Sequence, residues 1–520
     1  MAKNKPKKYQ SGTIVACIVF NLKVGVLLIT LNFFSIEANA TVVLPALISD
    51  NMVMQQNAPV HIWGGAAAGE KISITILGQT LATVADNNGR WDVWLKPMKS
   101  NTAVSMTVAG TNTIPVKNIL IGEVWLASGQ SNMEWDVSQS NNASKEIAAA
   151  NYPQIRIFDA ARSFSDTLKS EISGKWVICS HETVKNITAA GYFFARGLNK
   201  KLAQPIGLIE ASWGATNCQS WTSIDAIRAD PRLSYVENDW QKYLNTYPDR
   251  QKAYQTAMEI WKDAADKAKV TGTETPSQPR APQRSTKDQP SVIFNAVIAP
   301  LSNYTIRGVI WYQGEANAYA RVAYPYRYLF PAMISSWRDS WKQGDFPFIF
   351  VQLSTLNKHP YWPMLRESQF ETLKLANTAM VVSYDVGDST DAHYKNKQTV
   401  GYRLELAARK LVYGENIEAS GPVFRQMTSE GNSVRIWFDH AKGLKTQGRA
   451  EIAGFEIAGG DGKRYPARAI IDGENIVLSH PEVHKPAVAR YAFKDAPVAN
   501  LVNSAGLPAV PFRTDVSESL

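Results

Sequence analysis

Val124-Trp125-Leu126-Ala127-Ser128-Gly129-Gln130-Ser131-Asn132-Met133-Glu134, residues 124–134, is the stretch that decides the fold. Four apolar residues of strand length precede Gly129, which permits a tight turn, and a polar segment that can begin a helix follows it. A Ser at the start of a helix is a common cap, but it also exposes a hydroxyl and a backbone N–H. The stretch therefore predicts a strand, a turn and a helix, with Ser131 at their junction.

Similar apolar runs recur through the middle of the chain and alternate with helical patterns. The runs cover residues 123–127, 206–211, 306–312, 346–353 and 380–384. The helical patterns cover residues 188–202, 324–341, 365–376 and 400–411. Continuous apolar strands that alternate with helices are typical of a parallel sheet covered on both faces. We therefore predict an α/β domain over residues 116–417.

Both flanks of this domain have a β-rich pattern. Residues 41–115 contain short alternating strands separated by turn signals, which suits a small N-terminal β-sandwich module. Residues 418–520 return to short strands and are interpreted as a C-terminal β-rich domain. An insertion at about 222–290 interrupts the central domain, with a polar helical part at 239–270 followed by a Thr/Pro/Ser-rich loop.

Residues 1–40 have the pattern of a secretory signal peptide. Lys3, Lys5, Lys7 and Lys8 precede an apolar stretch at 24–36, and Ala38-Asn39-Ala40 fits a small-residue cleavage site. Lys23 disfavours a helix that stays in the membrane. We therefore expect cleavage after Ala40, a secreted or periplasmic protein, and no stable membrane insertion after cleavage.

Composition and charge exclude two classes of function. The chain is 45% hydrophobic and 10% aromatic, with a formal net charge of +9 that falls to +5 when residues 1–40, with five Lys and one Glu, are removed. No dense Lys/Arg stripe occurs, so nucleic-acid binding is not expected. No Cys/His cluster has zinc-ligand spacing, so no metal is predicted. Cys179 and Cys218 could form a disulfide or be two buried thiols.

Further polar residues follow other strands of the predicted sheet. Gly214 comes after the run at 206–211 and can offer an unobstructed N–H, while Gln313 comes after the run at 306–312 and can offer a side-chain amide. Each could instead be an ordinary turn or bracing residue. Because ligands bind at the carboxyl ends of parallel strands, we expect both near Ser131.

His393 is the candidate base among seven histidines. It follows the run at 380–384, within the acidic loop Asp385 to His393, and Asp391 stands two residues before it. The other histidines lack a strand end with neighbouring acids. Acyl transfer by a serine needs a base that takes the hydroxyl proton and a carboxylate that orients the imidazole.

These residues together resemble the SGNH (GDSL-type) hydrolases, and more narrowly their sialate O-acetylesterase branch. The resemblance lies in Gly129-Gln130-Ser131-Asn132-Met133, Ser212-Trp213-Gly214, Trp311-Tyr312-Gln313-Gly314-Glu315 and the segment 385–398. It implies a flavodoxin-like, three-layer α/β/α domain and a serine esterase that acts on O-acetylated carbohydrate without a cofactor.

The resemblance also implies roles for individual residues. Ser131 would be the nucleophile and His393 the general base, with the N–H groups of Ser131 and Gly214 and the Gln313 amide forming the oxyanion hole. The superfamily often has Asp three residues before the His, where this chain has Thr390. The triad acid is therefore assigned to Asp391, with Asp388 or Glu315 as the alternatives. Gln313 in place of the usual Asn favours the carbohydrate acetylesterase branch.

Several alternatives for the substrate and the class of function stay open. Acetylated sialic acid, acetylated xylan and acetylated pectic sugars all fit the motifs, and a non-catalytic carbohydrate-binding surface protein is the alternative of another class. A lipase or thioesterase is a lesser option. Candidate contacts with the sugar are the insertion and these side chains: Asn132, Glu315, Trp221 and Trp362.

Overall fold

The chain described by the computed structural model, residues 41–515, begins with a β-rich module; the predicted signal segment lies outside the described residues. The strands are β1 (Val53–Gln55), β2 (Val60–Gly65), β3 (Lys71–Ile76), β4 (Gln79–Val84), β5 (Arg90–Leu95) and β6 (Val104–Ala109). Alternate residues of β5 are buried, as the sequence predicts, because successive side chains of a strand point to opposite faces.

Strand β7 (Thr113–Gly129) connects this module to the central sheet. Its first part pairs antiparallel with β6, and Leu120–Gly122 pair in parallel with β1. Its second part lies in the middle of the central sheet and is fully buried. The border predicted at 115–116 therefore falls within one continuous strand.

The central sheet adds β8 (Tyr152–Ala160), β9 (Gly174–Cys179), β10 (Ile206–Ser212), β11 (Gly308–Tyr312), β12 (Phe348–Val351) and β13 (Thr378–Val381). The strand order is β13-β12-β11-β7-β10-β8-β9, and every neighbouring pair is parallel except β8 with β9. The α/β prediction is confirmed. The strand expected at 380–384 begins and ends earlier, and Val382–Tyr384 lead into the histidine loop.

Helices cover both faces of this sheet. They are α1 (Ser131–Glu134), α2 (Ala143–Ala148), α3 (Ala189–Leu202), α4 (Ile224–Ala229), α5 (Ser234–Asn245), α6 (Tyr247–Thr271), α7 (Ala299–Leu301), α8 (Tyr326–Trp341), α9 (Trp362–Glu371) and α10 (Lys397–Leu411). Trp125 packs edge-on against Phe194 of α3 on one face. Trp311, which points to the opposite face, packs against Phe330 and Trp337 of α8. The domain is therefore a three-layer α/β/α sandwich.

The insertion and the C-terminal region also follow their predicted patterns. Helices α5 and α6 occupy the polar part of the insertion, and residues 273–283 carry no helix or strand. The C-terminal strands are β14 (Val423–Glu430), β15 (Ser433–Asp439), β16 (Lys445–Thr446), β17 (Phe455–Ala458), β18 (Arg464–Pro466), β19 (Arg468–Asp472), β20 (Asn475–Ser479), β21 (Val488–Tyr491), β22 (Leu501–Val502) and β23 (Phe512–Arg513). Buried Arg366 of α9 anchors this region by donating to the carbonyl oxygens of Lys494 and Asp495.

Two further features of the sequence are settled by the fold. Cys179 and Cys218 are both buried free thiols, so they do not form a disulfide. Among residues 41–515, no helix is long and apolar enough to cross a membrane.

Candidate active site

Ser131 lies where the central strand β7 meets α1. Gly129 has φ +140°, and a Cβ atom there would lie 2.2 Å from the Tyr312 carbonyl oxygen, so the turn requires glycine. Gln130 N–H donates to the same carbonyl oxygen at 2.9 Å. Ser131 is the first residue of α1, where its N–H has no acceptor within the helix. The turn therefore presents both the hydroxyl and the N–H of Ser131 at the carboxyl end of the sheet.

His393 reaches Ser131 from the loop after β13. Its Nε2 lies 2.8 Å from Ser131 Oγ, although the two residues are 262 positions apart in the chain. The imidazole stacks on the Trp135 indole, with ring centroids 5.0 Å apart and an angle of 8° between the planes. Stacking fixes the plane of the imidazole, so Nε2 stays directed at the serine hydroxyl.

Asp391 is the nearest of the three acids predicted for the triad. Its Oδ1 accepts the backbone N–H of His393 at 2.8 Å and lies 3.8 Å from His393 Nδ1, an ion-pair distance that is too long for a hydrogen bond. Asp388 instead accepts from Thr390 N–H and its hydroxyl. Glu315 accepts from Asn132, so neither alternative contacts the imidazole.

The environment of His393 favours its neutral form. Partial burial lowers its pKa below the usual 6.5, and the nearby Lys397 ammonium lowers it further. The Asp391 carboxylate opposes both effects. A neutral imidazole can accept the Ser131 proton, so the pair has the protonation state that a general base requires.

Gly214 lies beside Ser131, but its N–H already has an acceptor. A Cβ on Gly214 would be 3.4 Å from Ser131 Cβ, which places the two residues in contact range. The N–H donates to Glu134 Oε2, and Glu134 Oε1 pairs with Arg162 at 2.6 Å. Sequence reasoning missed Glu134 and Arg162. Glu134 directly follows the motif around Ser131, whereas no pattern marks Arg162.

Gln313 is placed differently from its predicted role as an oxyanion donor. Its Nε2 donates to Thr216 O at 3.2 Å and to Asn317 Oδ1 at 2.8 Å, and its Oε1 accepts from the Tyr326 hydroxyl at 2.9 Å. Both amide hydrogens are therefore used within the fold. The side chain is fully buried and braces the loop after β10 rather than the site itself.

A polar cluster next to Ser131 and His393 is formed by Asn132, Glu315 and Lys397. Asn132 Nδ2 donates to Glu315 Oε1 at 2.5 Å and to Ala392 O at 2.9 Å, while Lys397 Nζ donates to Asn132 Oδ1. Burial lowers the pKa of Lys397 to about 7 and raises the pKa of Glu315. Asn132 directly follows Ser131 and donates to Ala392, the residue before His393. It therefore links the two loops that carry Ser131 and His393.

Trp221 and Trp362, proposed from sequence as sugar contacts, are core residues. Trp221 is 1% exposed, packs edge-on against Trp311 and donates its indole N–H to Thr216 Oγ1. Trp362 is 2% exposed and donates to Ser354 O. Neither ring presents a face to a ligand, so both predictions are wrong. Within residues 41–515, no group of three His, Cys, Asp or Glu side chains converges on a metal-binding position.

The fold and these contacts define the class of protein. A Ser hydroxyl within hydrogen-bond distance of a His, on different loops at the carboxyl edge of a parallel sheet in an α/β/α sandwich, is the architecture of an SGNH-type ester hydrolase.

Comparison with known proteins identifies the family. The family model "Carbohydrate esterase, sialic acid-specific acetylesterase" matches residues 288–410. The chain is 33% identical to a sialate O-acetylesterase of Rattus norvegicus over 79% of this chain and 81% of the relative. It is 29% identical to that of Homo sapiens over 89% and 91%.

A solved structure of a carbohydrate acetylesterase from Xanthomonas citri superposes with a TM-score of 0.79 at 32% identity, covering 92% of this chain and all of that one. The chain belongs to the sialate O-acetylesterase family and is a carboxylic ester hydrolase of the carbohydrate esterase type.

Proposed function

We propose that this protein is a secreted serine esterase that removes O-acetyl groups from carbohydrates through an acyl-enzyme intermediate. The observation that carries the proposal is the 2.8 Å contact between Ser131 Oγ and His393 Nε2 at the carboxyl end of the sheet. The acetyl group and the carbohydrate come from the names of the relatives, and export comes from the sequence of residues 1–40. A pair positioned for catalysis also argues against the non-catalytic alternative.

The chemistry follows from the two residues. His393 Nε2 takes the Ser131 proton while Oγ attacks the acetyl carbonyl carbon, and the tetrahedral intermediate then expels the sugar oxygen, which receives the proton from His393. A water, deprotonated by His393, next attacks the carbonyl carbon of the acetyl-serine. The tetrahedral intermediate expels Ser131 Oγ, which takes the proton back from His393, and acetate is released. Asp391 stabilises the imidazolium in each half through its charge at 3.8 Å.

The oxyanion is stabilised by the N–H groups of Ser131 and Gly214. Because Glu134 accepts the Gly214 N–H, this carboxylate has to leave before the N–H can bind a developing oxyanion. Arg162, half exposed and paired with Glu134, offers the carboxylate a place to move to. Removal of one such donor typically costs about 10²–10³ in kcat.

The insertion is proposed to select the sugar. A pocket of about 300 Å³ lies between α5 and residues 286–290, and the rings of Trp240 and Tyr243 at its wall stack 4.7 Å apart. Lys287 connects this pocket to the site, because its ammonium donates to the Gly214 carbonyl oxygen. Aromatic faces beside carboxylates suit a pyranose ring with its hydroxyls. We also propose that residues 41–115, 116–417 and 418–520 are three domains, of which the first two share the continuous strand β7.

The test is the Ser131→Ala variant. Loss of a catalytic serine typically lowers kcat by about 10⁶, so hydrolysis of p-nitrophenyl acetate should fall close to the solution rate, and a fluorophosphonate probe should no longer label the protein. Ser138→Ala, an exposed serine seven residues along the chain, should retain full activity and labelling. Full activity in Ser131→Ala contradicts the mechanism. Acetate release from acetylated xylan compared with O-acetylated sialic acid then identifies the sugar class.

A further inference from the structure

Three aromatic rings stacked face to face, which we call the aromatic ladder, lie on the outer face of the N-terminal module. They are Trp63 and His61 of β2 and Trp94 of β5, which the antiparallel register His61↔Trp94 brings side by side. Strand alternation explains their position, since the intervening residues of both strands are buried in the module: Val60, Ile62, Trp91, Val93 and Leu95.

The ladder is rigid, and the outer face of its terminal ring, Trp94, is open. The His61 ring lies 4.6 Å from the Trp94 ring at 16° and 5.1 Å from the Trp63 ring at 21°. The two His61 nitrogens lie 3.2 Å from Asn303 O and 3.3 Å from Asp92 Oδ2, so the ring between the two indoles is fixed. Trp94 is 53% exposed. A rigid indole with a free face can bind a ligand at little cost in conformational entropy.

A groove of about 1190 Å³ runs beside the ladder. Carboxylate, amide, hydroxyl and guanidinium groups line it together with the rings, as in these residues: Asp86, Asn88, Arg90, Asp92, Ser170 and Asn303. The cores of protein–protein interfaces are depleted of charged residues, so charges next to the ladder disfavour a protein partner. The open apolar face of Trp94, bordered by hydrogen-bonding groups, matches a sugar, which has an apolar ring face and polar hydroxyls at its edge.

The groove is separate from the Ser131 site. Ser302 and Asn303 line the groove and precede β11, and Lys342, at the end of α8, precedes β12. Ser131 follows β7, which is parallel to β11, and therefore lies at the opposite end of the sheet. The five residues of β11 alone span about 17 Å.

We propose that the aromatic ladder and its groove bind a polysaccharide chain independently of the catalytic site. A polymer held there keeps its acetyl groups at a high effective concentration near Ser131, without any new contact at the reacting ester. This role goes beyond ester hydrolysis and assigns a binding function to the N-terminal module.

The proposal is tested with Trp94→Ala in the full chain, in a Ser131→Ala background that prevents turnover. Affinity electrophoresis is run in acetylated xylan and, separately, in polysialic acid. The Ser131→Ala protein should bind at least one of these polymers, and the Ser131→Ala, Trp94→Ala protein should bind that polymer about tenfold more weakly. Tyr402→Ala is the matched control, because Tyr402 of α10 is also 53% exposed but lies outside the groove. Trp94→Phe, which keeps an aromatic face, should restore most of the binding.

A second readout separates this proposal from the catalytic one. With Ser131 present, Trp94→Ala should leave kcat/KM for p-nitrophenyl acetate unchanged and raise KM severalfold for the polymer that binds. Binding of Trp94→Ala equal to that of the background, or no binding of the background to either polymer, overturns the ladder proposal while the small-ester activity stands. If the unmutated protein, with native Ser131 and Trp94, does not hydrolyse p-nitrophenyl acetate, the proposed function is overturned instead.

Discussion

Four carboxylates of the central domain form two groups with opposite surroundings. Asp388 and Asp391 lie exposed on the loop before His393, where they accept local backbone N–H groups. Glu315 and Glu210 lie at the ends of β11 and β10, and burial raises the pKa of both. The exposed pair accepts from its own loop, whereas each glutamate accepts from a different element: Glu315 from Asn132, 183 positions away, and Glu210 from Thr188, 22 positions away.

The two groups act in different ways: the exposed carboxylates act through their charge, and the buried carboxylates hold a hydrogen-bond donor in position. An exposed carboxylate can act on the imidazole only through a charge that water screens, and such ion pairs contribute about 0–1 kcal/mol. An enclosed carboxylate holds a donor in one place, since leaving that donor unsatisfied costs about 1–3 kcal/mol. We therefore expect the enclosed group next to Asn132 to matter more for turnover than the acid nearest to His393.

Among the carboxylates, the largest effect on turnover is expected from Glu315→Ala. It removes the acceptor of the Asn132 amide, which links the Ser131 and His393 loops, and a misplacement of about 1 Å costs roughly 100-fold in kcat. KM for p-nitrophenyl acetate should change little, because the substitution acts on alignment rather than on ester binding. Steady-state kinetics measures both constants.

Glu315→Gln is the matched control for that variant. Its carbonyl oxygen can still accept the Asn132 N–H, so kcat should stay close to wild type. Thermal unfolding of both variants distinguishes misalignment from loss of the fold. A folded Glu315→Ala protein with wild-type kcat would show that the polar cluster does not position the pair.

Asp391→Asn is expected to have a smaller effect, at most about fivefold in kcat/KM, because a screened ion pair contributes about 0–1 kcal/mol. The Asn oxygen can still accept the His393 N–H, but the charge that stabilises the imidazolium is lost. That charge raises the His393 pKa, so its removal should shift the acid limb of the pH–kcat/KM profile, which lies below 6.5, to still lower pH. Asp388→Asn should leave the profile unchanged. An unshifted limb in Asp391→Asn argues against Asp391 as the acid partner.

The parts of the site that sequence could predict depend on local patterns. Apolar runs and strand-end positions indicated the sheet, and they directed attention to Ser131, Gly214 and His393, because these residues directly follow strands. A strand end places a residue at the correct edge of the sheet. It does not determine which neighbour the side chain contacts at that edge.

Other parts depend on partners that are distant in sequence. The Gln313 amide donates to Thr216 O, 97 positions away, which the turn after β10 brings close. Glu134 meets Gly214 from 80 residues away, and its ion pair with Arg162 carries no motif. Trp221 shows a related difficulty, because an indole has the same sequence signal in the core as on a binding surface.

The smallest effect on activity is expected from Glu210→Gln, whose consequence is for stability. Burial raises the Glu210 pKa to about 8, and nearby Asp159 and Asp136 add to the shift. Between pH 4.5 and 8 the unfolded chain therefore releases a proton that the folded protein retains, and the free energy of unfolding falls as pH rises, by about 1.4 kcal/mol per pH unit from this residue.

Glutamine can accept the Thr188 N–H and donate to the Ser212 hydroxyl, so Glu210→Gln should preserve both contacts and remove that slope. Urea unfolding at pH 5, 6, 7 and 8 measures it. Glu259→Gln, at an exposed position of α6, should leave the slope as in wild type. If Glu210→Gln and Glu259→Gln show the same pH dependence, the enclosed group does not hold its proton at neutral pH. If the slope disappears while kcat is unchanged, Glu210 acts on the stability of the fold. Glu210 would then differ from Glu315, which is expected to act on the alignment of Ser131 and His393, although burial raises the pKa of both.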